Sequence, residues 1–319
     1  MKLLLRPGIW AALLFALALL RYPQQAAQAV RDGAMLCLQT VVPALFPFFV
    51  LCSLLISLGF AGLLARPMER LMRPLFGLPG SCASAVILGF LGGYPVGART
   101  VRQIYEQGGC SRREAESLLS FCNNAGPGFF LGVVGVGVFG SVRVGLTLWG
   151  IHIFSALLAG LLLCRRSKTA GHFPVRRPAP QPFATALTQA VTSSLTALLG
   201  VCGFVIFFCT LLELVDASGL LRQLCVAAQG VSGCSPHNAA AFWKGLLELT
   251  AGVTSLSPQR ESFVLAAGLL GFGGLSVHGQ TAAVLGSCPL SMERYALGKL
   301  LQALFSALLA LPLSHGMGL

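Results

Sequence analysis

Charged residues are scarce in this chain. Asp, Glu, Lys and Arg make up 10% of its 319 residues, whereas 55% are hydrophobic and the mean hydropathy is +0.79. Such a composition cannot cover the surface of a soluble globular protein. It predicts an all-α polytopic membrane protein with about seven to ten membrane-entering segments of roughly 20 residues each.

Acidic residues are rarer than basic ones, and the formal net charge is +12. The Lys and Arg residues are scattered over short loops and do not form a basic face with interleaved aromatics, which argues against a nucleic-acid partner. An excess of basic residues in cytoplasmic loops explains the charge better. The densest basic stretch, residues 165–182, is also rich in proline and is predicted to be a cytoplasmic linker.

Signatures of catalysis and metal binding are absent from the sequence. There is no H-E-x-x-H and no G-x-S-x-G, so no enzyme activity and no catalytic residue are predicted. Gly135, Gly137 and Gly140 match the dinucleotide fingerprint by letter, but they lie in an apolar segment without the required acidic residue downstream, so no cofactor is expected. The eleven cysteines lack zinc-site spacing and mostly lie in apolar runs, which predicts small buried side chains and no metal.

Polar and proline-rich interruptions divide the chain into six predicted segments. These are an N-terminal span and interfacial helix (1–32), a first repeat (33–142), a connecting transmembrane helix (143–164), the basic linker (165–182), a second repeat (183–290) and a C-terminal transmembrane helix (291–319). Residues 23–32 are polar enough to lie along the membrane surface. Pro43 and Pro47 should kink or break the helix that follows.

Two glycine- and proline-containing interruptions stand out in the first repeat. Residues 92–100 read Gly-Gly-Tyr-Pro-Val-Gly-Ala-Arg-Thr, and residues 123–128 read Asn-Asn-Ala-Gly-Pro-Gly. A broken helix at membrane depth persists only where it is packed in protein or lines water, so polar groups beside a break indicate a binding site. The predicted substrate-binding residues here are Tyr94, Arg99, Asn123 and Asn124.

Simpler interpretations of the same residues stay open. Asn, Gly and Pro are also the usual residues of tight turns. Arg99 can lie outside the membrane beside Arg102 and follow the loop-charge bias. The four-residue spacing of Gly89, Gly93 and Gly97 suits close helix packing as well as ligand access.

The second repeat contains a weaker copy of the first interruption. Residues 273–281 read Gly-Gly-Leu-Ser-Val-His-Gly-Gln-Thr and parallel residues 92–100. Two such repeats, inverted in the membrane with re-entrant or broken helices, are a common transporter architecture. His278 and Gln280 would then supply the second half of the site, and Asn123 should converge with Gln280.

Glu248 is the candidate for binding a coupling proton or sodium ion, because an acid in an apolar segment has a raised proton affinity. It follows Lys244 by four residues, so an ion pair on the surface of one helix is the alternative. Glu213 and Asp216 are interpreted as marking the end of a helix.

Several of these stretches resemble one family. Residues 92–98, residues 121–127 and the sequence Gly-Leu-Leu-Glu-Leu-Thr-Ala-Gly at 245–252 are similar to the sporulation integral membrane protein YlbJ (SpoVV) family, whose members contain nucleoside-recognition (Gate) domains. The resemblance extends roughly from residue 33 to the end. It implies two Gate-type repeats and a distant relationship to concentrative nucleoside transporters.

The resemblance also implies a function and a location. The expected function is transport of a small organic anion, dipicolinic acid, across the outer forespore membrane during sporulation. A nucleoside or nucleobase transporter and a non-transporting sporulation scaffold are the alternatives. The expected partners are the organic anion, the lipid bilayer and a coupling proton or sodium ion, with a homo-oligomer left open.

Overall fold

The computed structural model describes residues 7–164, 182–232 and 234–319, and the regular elements in these ranges are all helical, as predicted. The helices are α1 (Pro7–Arg21), α2 (Pro23–Leu36), α3 (Val42–Ser57), α4 (Phe60–Phe76), α5 (Ala83–Gly92), α6 (Val96–Glu106), α7 (Arg112–Cys122), α8 (Val142–Cys164), α9 (Phe183–Ala217), α10 (Leu220–Ser232), α11 (Pro236–Leu247), α12 (Leu249–Thr254), α13 (Arg260–Phe272), α14 (Gly274–Leu285) and α15 (Glu293–Leu313). Cys37–Val41 and Phe129–Val138 are π-helical, and Gly80–Cys82 and Ser314–Gly316 are 3₁₀ turns. Residues 165–181 of the predicted linker lie outside the described residues.

Within the described ranges, five helical segments are long and apolar enough to cross a membrane. They are Pro23–Ser57, Val142–Cys164, Phe183–Ala217, Arg260–Leu285 and Glu293–Gly316. Helices α4 and α5 meet at 97° and together would make a sixth span or a re-entrant loop. The protein is therefore a multi-pass membrane protein, with fewer full spans than the seven to ten membrane-entering segments expected, because several apolar stretches form short or broken helices.

The segment before the first repeat differs from the prediction. Residues 23–32 are not a separate surface helix, because α2 runs through a π turn into α3 as one long helical segment. A kink or a break is expected at the two prolines, and the segment does not break there. Pro43 lies in the first turn of α3, and Pro47 lies within it. Pro43 has no backbone N–H and cannot donate an α-helical hydrogen bond. The π turn at Cys37–Val41 already interrupts the α-helical hydrogen-bond pattern just before it.

Ser111 forms the capping box that its spacing to Glu114 indicates. Its hydroxyl accepts the Glu114 N–H, and the Glu114 carboxylate accepts the Ser111 N–H at 2.8 Å. This arrangement satisfies two of the backbone donors that the start of α7 would otherwise leave free.

Helix α15 lies at the centre of the packing, against α7, α8 and α13, while α9 packs along α2 and α3. The largest hydrophobic cluster joins the π segment and α8 to α11–α13 and α15. A second cluster joins α4–α7 to the start of α15. Seven of the eleven cysteines are buried, in agreement with their predicted packing role. Helices α7 and α13, each followed by an interruption, thus pack directly against α15.

Candidate functional site

The break between α5 and α6 places Tyr94 inside the protein. Gly93 turns the chain with a φ of +82°, a conformation that glycine adopts at little cost. The Tyr94 side chain is 6% exposed, and its hydroxyl lies 3.4 Å from the Leu270 carbonyl oxygen, to which it donates. The first break therefore reaches helix α13 of the second half.

The break after α7 uses both of its asparagines as linkers. The Asn123 side chain accepts the Ala98 N–H at 3.2 Å and donates to the Thr281 hydroxyl at 2.8 Å. Asn124 donates to the Phe121 carbonyl at 2.7 Å, which leaves its amide oxygen directed toward α15. Both asparagines are fully buried.

The glycine ridge of α5 and α6 packs these two breaks together. An added Cβ at Gly89 or Gly97 would overlap the carbonyl oxygen of Cys122, and Gly93 lies directly against Gly126. Helix packing thus accounts for the spacing of the ridge.

Lys299 on α15 is the cation at the centre of this arrangement. Its side chain is fully buried, and Nζ donates to Gln302 Oε1 at 2.7 Å and to Asn124 Oδ1 at 3.2 Å. The Tyr94 hydroxyl accepts a third bond at 3.2 Å, with Nζ 5.0 Å from the Tyr94 ring centroid. Lys299 Nζ therefore contacts neutral groups in these interactions, and the salt bridges found among the described residues lie elsewhere.

Gln302 and His152 extend the polar cluster along α15 and α8. Gln302 Nε2 donates to Asn124 Oδ1 at 3.0 Å and to the His152 carbonyl at 3.2 Å. The His152 Nε2 atom lies 3.3 Å from the Ala125 backbone nitrogen, which donates to it. One helical turn along, Ser155 and Ser306 are hydrogen-bonded at 2.7 Å. We call Tyr94, Asn124, His152, Lys299 and Gln302 the Lys299 cluster.

The sequence interpretation missed Lys299, Gln302 and His152. Each lies inside a span that reads as apolar overall. A signal was present, because an ionisable residue within a transmembrane segment is by default a functional candidate, and Gln302 follows Lys299 by three residues on the same helix face.

Glu248 lies at a helix break that the sequence interpretation did not contain. An ion pair with Lys244 on one helix would need the helix to continue through Glu248, but α11 ends at Leu247 and α12 begins at Leu249, with Glu248 in an extended conformation between them. Its carboxylate caps α12 by accepting the Ala251 N–H at 2.7 Å. Glu248 is 1% exposed, so an ion pair between Glu248 and Lys244 on the surface of one helix is ruled out.

The fourth break separates α13 from α14 at Gly273, which has a φ of +92°. A Cβ at the next residue, Gly274, would lie 2.9 Å from the Gly245 carbonyl oxygen and 3.1 Å from the Leu249 nitrogen. The two breaks of the second half thus pack on each other, as do those of the first.

A small internal cavity of about 40 Å³ lies where the two halves meet. Its polar or ionisable lining comes from Tyr94, Glu248, Thr250 and Gln280, and the other lining residues are mostly apolar. A much larger groove of about 1270 Å³ runs along α10, α11, α13 and α15, but apolar side chains such as Phe242, Leu300 and Leu311 dominate its lining. The small cavity is lined by three of the predicted site residues, Tyr94, Glu248 and Gln280.

The predicted site residues are thus partly gathered. Gln280 is buried, donates to the Ser276 hydroxyl at 3.3 Å and is the neighbour of Thr281, to which Asn123 binds. His278 is half-buried, lies 3.2 Å from the Phe272 carbonyl oxygen and meets the Tyr295 ring edge-on. Arg99 differs from these residues, because it is exposed on α6 between buried neighbours. Its contact with a substrate stays a prediction.

Comparisons with known proteins agree with this picture of a membrane protein. The profile of the Gate family, described as nucleoside recognition, matches residues 38–142, the range that holds Tyr94, Asn123 and Asn124. The sporulation integral membrane protein YlbJ of Bacillus subtilis (strain 168) is 30% identical over 314 residues, covering 90% of this chain and 77% of that relative. No solved structure matches the chain.

Proposed function

This chain belongs to the family of the sporulation integral membrane protein YlbJ, and from this premise we propose that it transports a small organic anion across a membrane. Dipicolinate, a planar dicarboxylate, is the proposed substrate, and the outer forespore membrane is the proposed location. The relative's name supports a role in sporulation, and the chemistry of the buried site supports an anion.

The observation that carries this proposal is the buried Nζ of Lys299 among neutral oxygens. A charge away from water is costly unless an opposite charge or several strong hydrogen bonds accompany it. Lys299 Nζ donates hydrogen bonds to Tyr94, Asn124 and Gln302, and a carboxylate would supply the negative charge that an ammonium at this position lacks. The Lys299 cluster therefore favours an anion over a neutral or cationic substrate.

The breaks can hold the second carboxylate of such a substrate. The α6 and π-helical starts follow the first two breaks, and helix N-termini favour anions through their free N–H groups. The Asn123 and Asn124 amides add donors beside them, although in this conformation both donate within the protein. Substrate binding would exchange these internal bonds for bonds to the carboxylate.

The structure is closed around this site. A cavity of about 40 Å³ has room for a few water molecules, not for an aromatic dicarboxylate. Transport therefore requires the breaks to separate. The Gly89, Gly97 and Cys122 contacts join the first pair of breaks, and the Gly245 and Gly274 contacts join the second, so we propose that each pair moves as one body.

The order of elements supports the proposed pair of inverted repeats. In both halves a long helix is followed by a short helix that begins after a left-handed glycine, Gly59 or Gly219. Two interrupted helices and a final span then follow in each half. This order pairs the break at Tyr94 with Glu248 and the break at Asn123 with Gly273, whereas the letter similarity pairs residues 92–100 with 273–281.

Glu248 is proposed to bind the coupling cation. It is the carboxylate that lines the internal cavity, and it lies at the break that corresponds to Tyr94 in element order. Protonation of this group would change the stability of the α12 cap, because the carboxylate accepts the Ala251 N–H more strongly than a neutral acid does.

A nucleoside or nucleobase is the second candidate substrate. The match to a nucleoside-recognition family over residues 38–142 favours it, and the Tyr94 ring offers a surface on which a base can stack.

A non-transporting sporulation scaffold is the third candidate function. Deletion of the linker 165–182 tests it.

Uptake of radiolabelled dipicolinate into proteoliposomes tests the proposal. We expect uptake above that of empty vesicles, competition by other aromatic dicarboxylates and loss of uptake in Lys299→Met. The half-buried Lys244 on α11 provides the matched control Lys244→Met. Competition by uridine or adenosine would select the nucleoside alternative, and absence of uptake under proton and sodium gradients would reject transport of this anion.

A further inference from the structure

Tyr94 is shared by two buried groups that can gain and lose a proton. Its hydroxyl lies 3.2 Å from Lys299 Nζ, and its side chain lines the internal cavity that Glu248 also lines. Lys299 and Glu248 are 0% and 1% exposed, so neither exchanges protons with bulk water in this conformation. Any exchange between them would pass through the protein interior.

The cavity can complete the connection between them. At about 40 Å³ it is large enough for two or three water molecules, and Thr250 and Gln280 provide polar partners for them. A phenol hydroxyl both donates and accepts a hydrogen bond, as a proton relay requires. Tyr94 therefore lies between the cavity that Glu248 borders and Lys299 Nζ, and water in the cavity would complete a proton route between the two groups.

Other titratable groups lie near each end, but they do not line the cavity. Cys122, His152, His278 and Tyr295 surround Lys299 or Tyr94, and Cys37 and Cys209 are the neighbours of Glu248. Among the described residues, Tyr94 and Glu248 are the titratable groups that border the cavity. This geometry selects the route through Tyr94 over one through either histidine.

We propose that Glu248 and Tyr94 deliver to Lys299 the proton that accompanies each transported anion, which makes the carrier a proton–anion symporter. This inference rests on the proposed function. In this step the Lys299 amine is neutral before the anion binds. Glu248 gives its proton to water in the cavity, Tyr94 passes one proton to Nζ as it receives another, and Lys299 becomes an ammonium facing the substrate carboxylate. Glu248 is left as a carboxylate. When the breaks separate on the far side, the anion leaves and Lys299 gives its proton to the water on that side. Glu248 takes up its next proton from the side on which the next anion binds.

The charge balance explains why the anion and the proton should travel together. Lys299 without an anion has neutral partners, and burial opposes its charge, whereas a bound carboxylate favours the ammonium. Binding of one anion therefore takes up one proton. A proton gradient of one pH unit can then support about tenfold accumulation of the anion.

The experiment separates anion exchange from proton-driven accumulation in proteoliposomes loaded with dipicolinate. We expect the wild type to exchange labelled for unlabelled anion without a gradient and to accumulate it about tenfold under an inward gradient of one pH unit. Glu248→Gln and Tyr94→Phe should lower the accumulation ratio to near one while exchange falls much less. Glu213→Gln, which changes a half-buried acid of α9 outside the cavity, should keep both activities.

The outcomes distinguish this inference from the function on which it rests. A wild type that shows neither exchange nor accumulation rejects the proposed function. Exchange with unaltered proton-driven accumulation in both variants overturns the relay, as does accumulation that follows a sodium gradient alone. If Glu248→Gln does not fold, as judged by thermal denaturation in detergent, Tyr94→Phe decides the question.

Discussion

The side chains of Asn123 and Thr281 are hydrogen-bonded, with 2.8 Å between Nδ2 and Oγ1. This bond joins the break after α7 to helix α14, and Thr281 in turn lies 3.2 Å from the Tyr295 hydroxyl at the start of α15. Polar groups from both halves thus meet in one buried chain of hydrogen bonds. The relationship yields the first prediction.

Asn123→Ala should lower the free energy of unfolding by about 1–3 kcal/mol, because it leaves the Ala98 N–H and the Thr281 hydroxyl without this buried partner. Thr281→Val should be destabilising for the same reason, and a double-mutant cycle should give a coupling free energy of about 0.5–3 kcal/mol. Thermal or denaturant unfolding in detergent measures both. Thr281→Ser keeps the hydroxyl and serves as the control; a coupling near zero would contradict the contact.

Lys299→Met should weaken anion binding at least about tenfold, because a hydrogen bond to a charged group contributes about 1.5–3 kcal/mol. Methionine fills a similar volume, and the variant also removes the buried charge, so the protein should fold. Equilibrium binding of labelled dipicolinate to the purified protein measures the effect. Unchanged affinity would show that the anion does not contact α15.

Arg99→Gln separates the two cations proposed for the site. Arg99 is exposed, whereas Lys299 is fully buried, so the free protein should lose little stability from this change. If Arg99 contacts the substrate, as the sequence predicts, the variant should bind dipicolinate several-fold more weakly without a change in melting temperature. Binding equal to that of the wild type would leave Lys299 as the cation of the site.

Gly89→Ala should be strongly destabilising, because its Cβ would overlap the Cys122 carbonyl oxygen. Forcing one carbon into such a contact costs typically about 1–3 kcal/mol. The matched control is Gly150→Ala on the exposed face of α8, where no atom lies within 4 Å of the added Cβ. Melting temperatures of the two variants should differ by several degrees, and equal values would disprove the close approach of the two breaks.

Glu116 provides a test by pH. Burial by itself raises the pKa of its carboxyl, but the Ser291 N–H and the Arg112 guanidinium outweigh burial and lower the pKa below its usual value. A lowered pKa stabilises the fold above the pKa of the unfolded chain, and this contribution is lost as the pH falls through the folded-state pKa. Glu116→Gln should therefore lower the melting temperature at pH 7 and have less effect near pH 4. An equal loss at both values would contradict the ionised contact.

Local sequence signals predicted much of the fold. The apolar runs indicated the spans, Ser111 and Glu114 indicated the start of α7, and glycine with proline or asparagine marked the breaks at Tyr94 and Asn123. These features depend on nearby residues, so their spacing is visible in the chain. The glycine ridge was also visible, but only the structure shows that its partner is the Cys122 backbone.

Tertiary packing decided the rest. The Leu-Glu-Leu stretch at 247–249 contains no glycine or proline, so its sequence predicts a continuous helix. In the structure the helix breaks at this stretch, and the stretch packs against Gly274. Pro43 and Pro47 predict a kink or a break, yet the segment stays helical through the π turn before them. Lys299 was overlooked because hydropathy averages a single cation into an apolar span, and its significance depends on partners contributed by the distant Tyr94 and Asn124.

The buried position of Lys299 also affects how the protein is made. A lysine near the middle of a helix raises the cost of inserting that helix into lipid by about 2.5–3.5 kcal/mol. Helix α15 is the last to emerge from the ribosome of those described, and its cation finds hydrogen-bond partners on α8 and the earlier breaks through the Lys299 cluster. Helix α15 should therefore enter lipid after the helices that precede it, and variants that remove the hydrogen-bond partners in the Lys299 cluster should leave this helix poorly inserted.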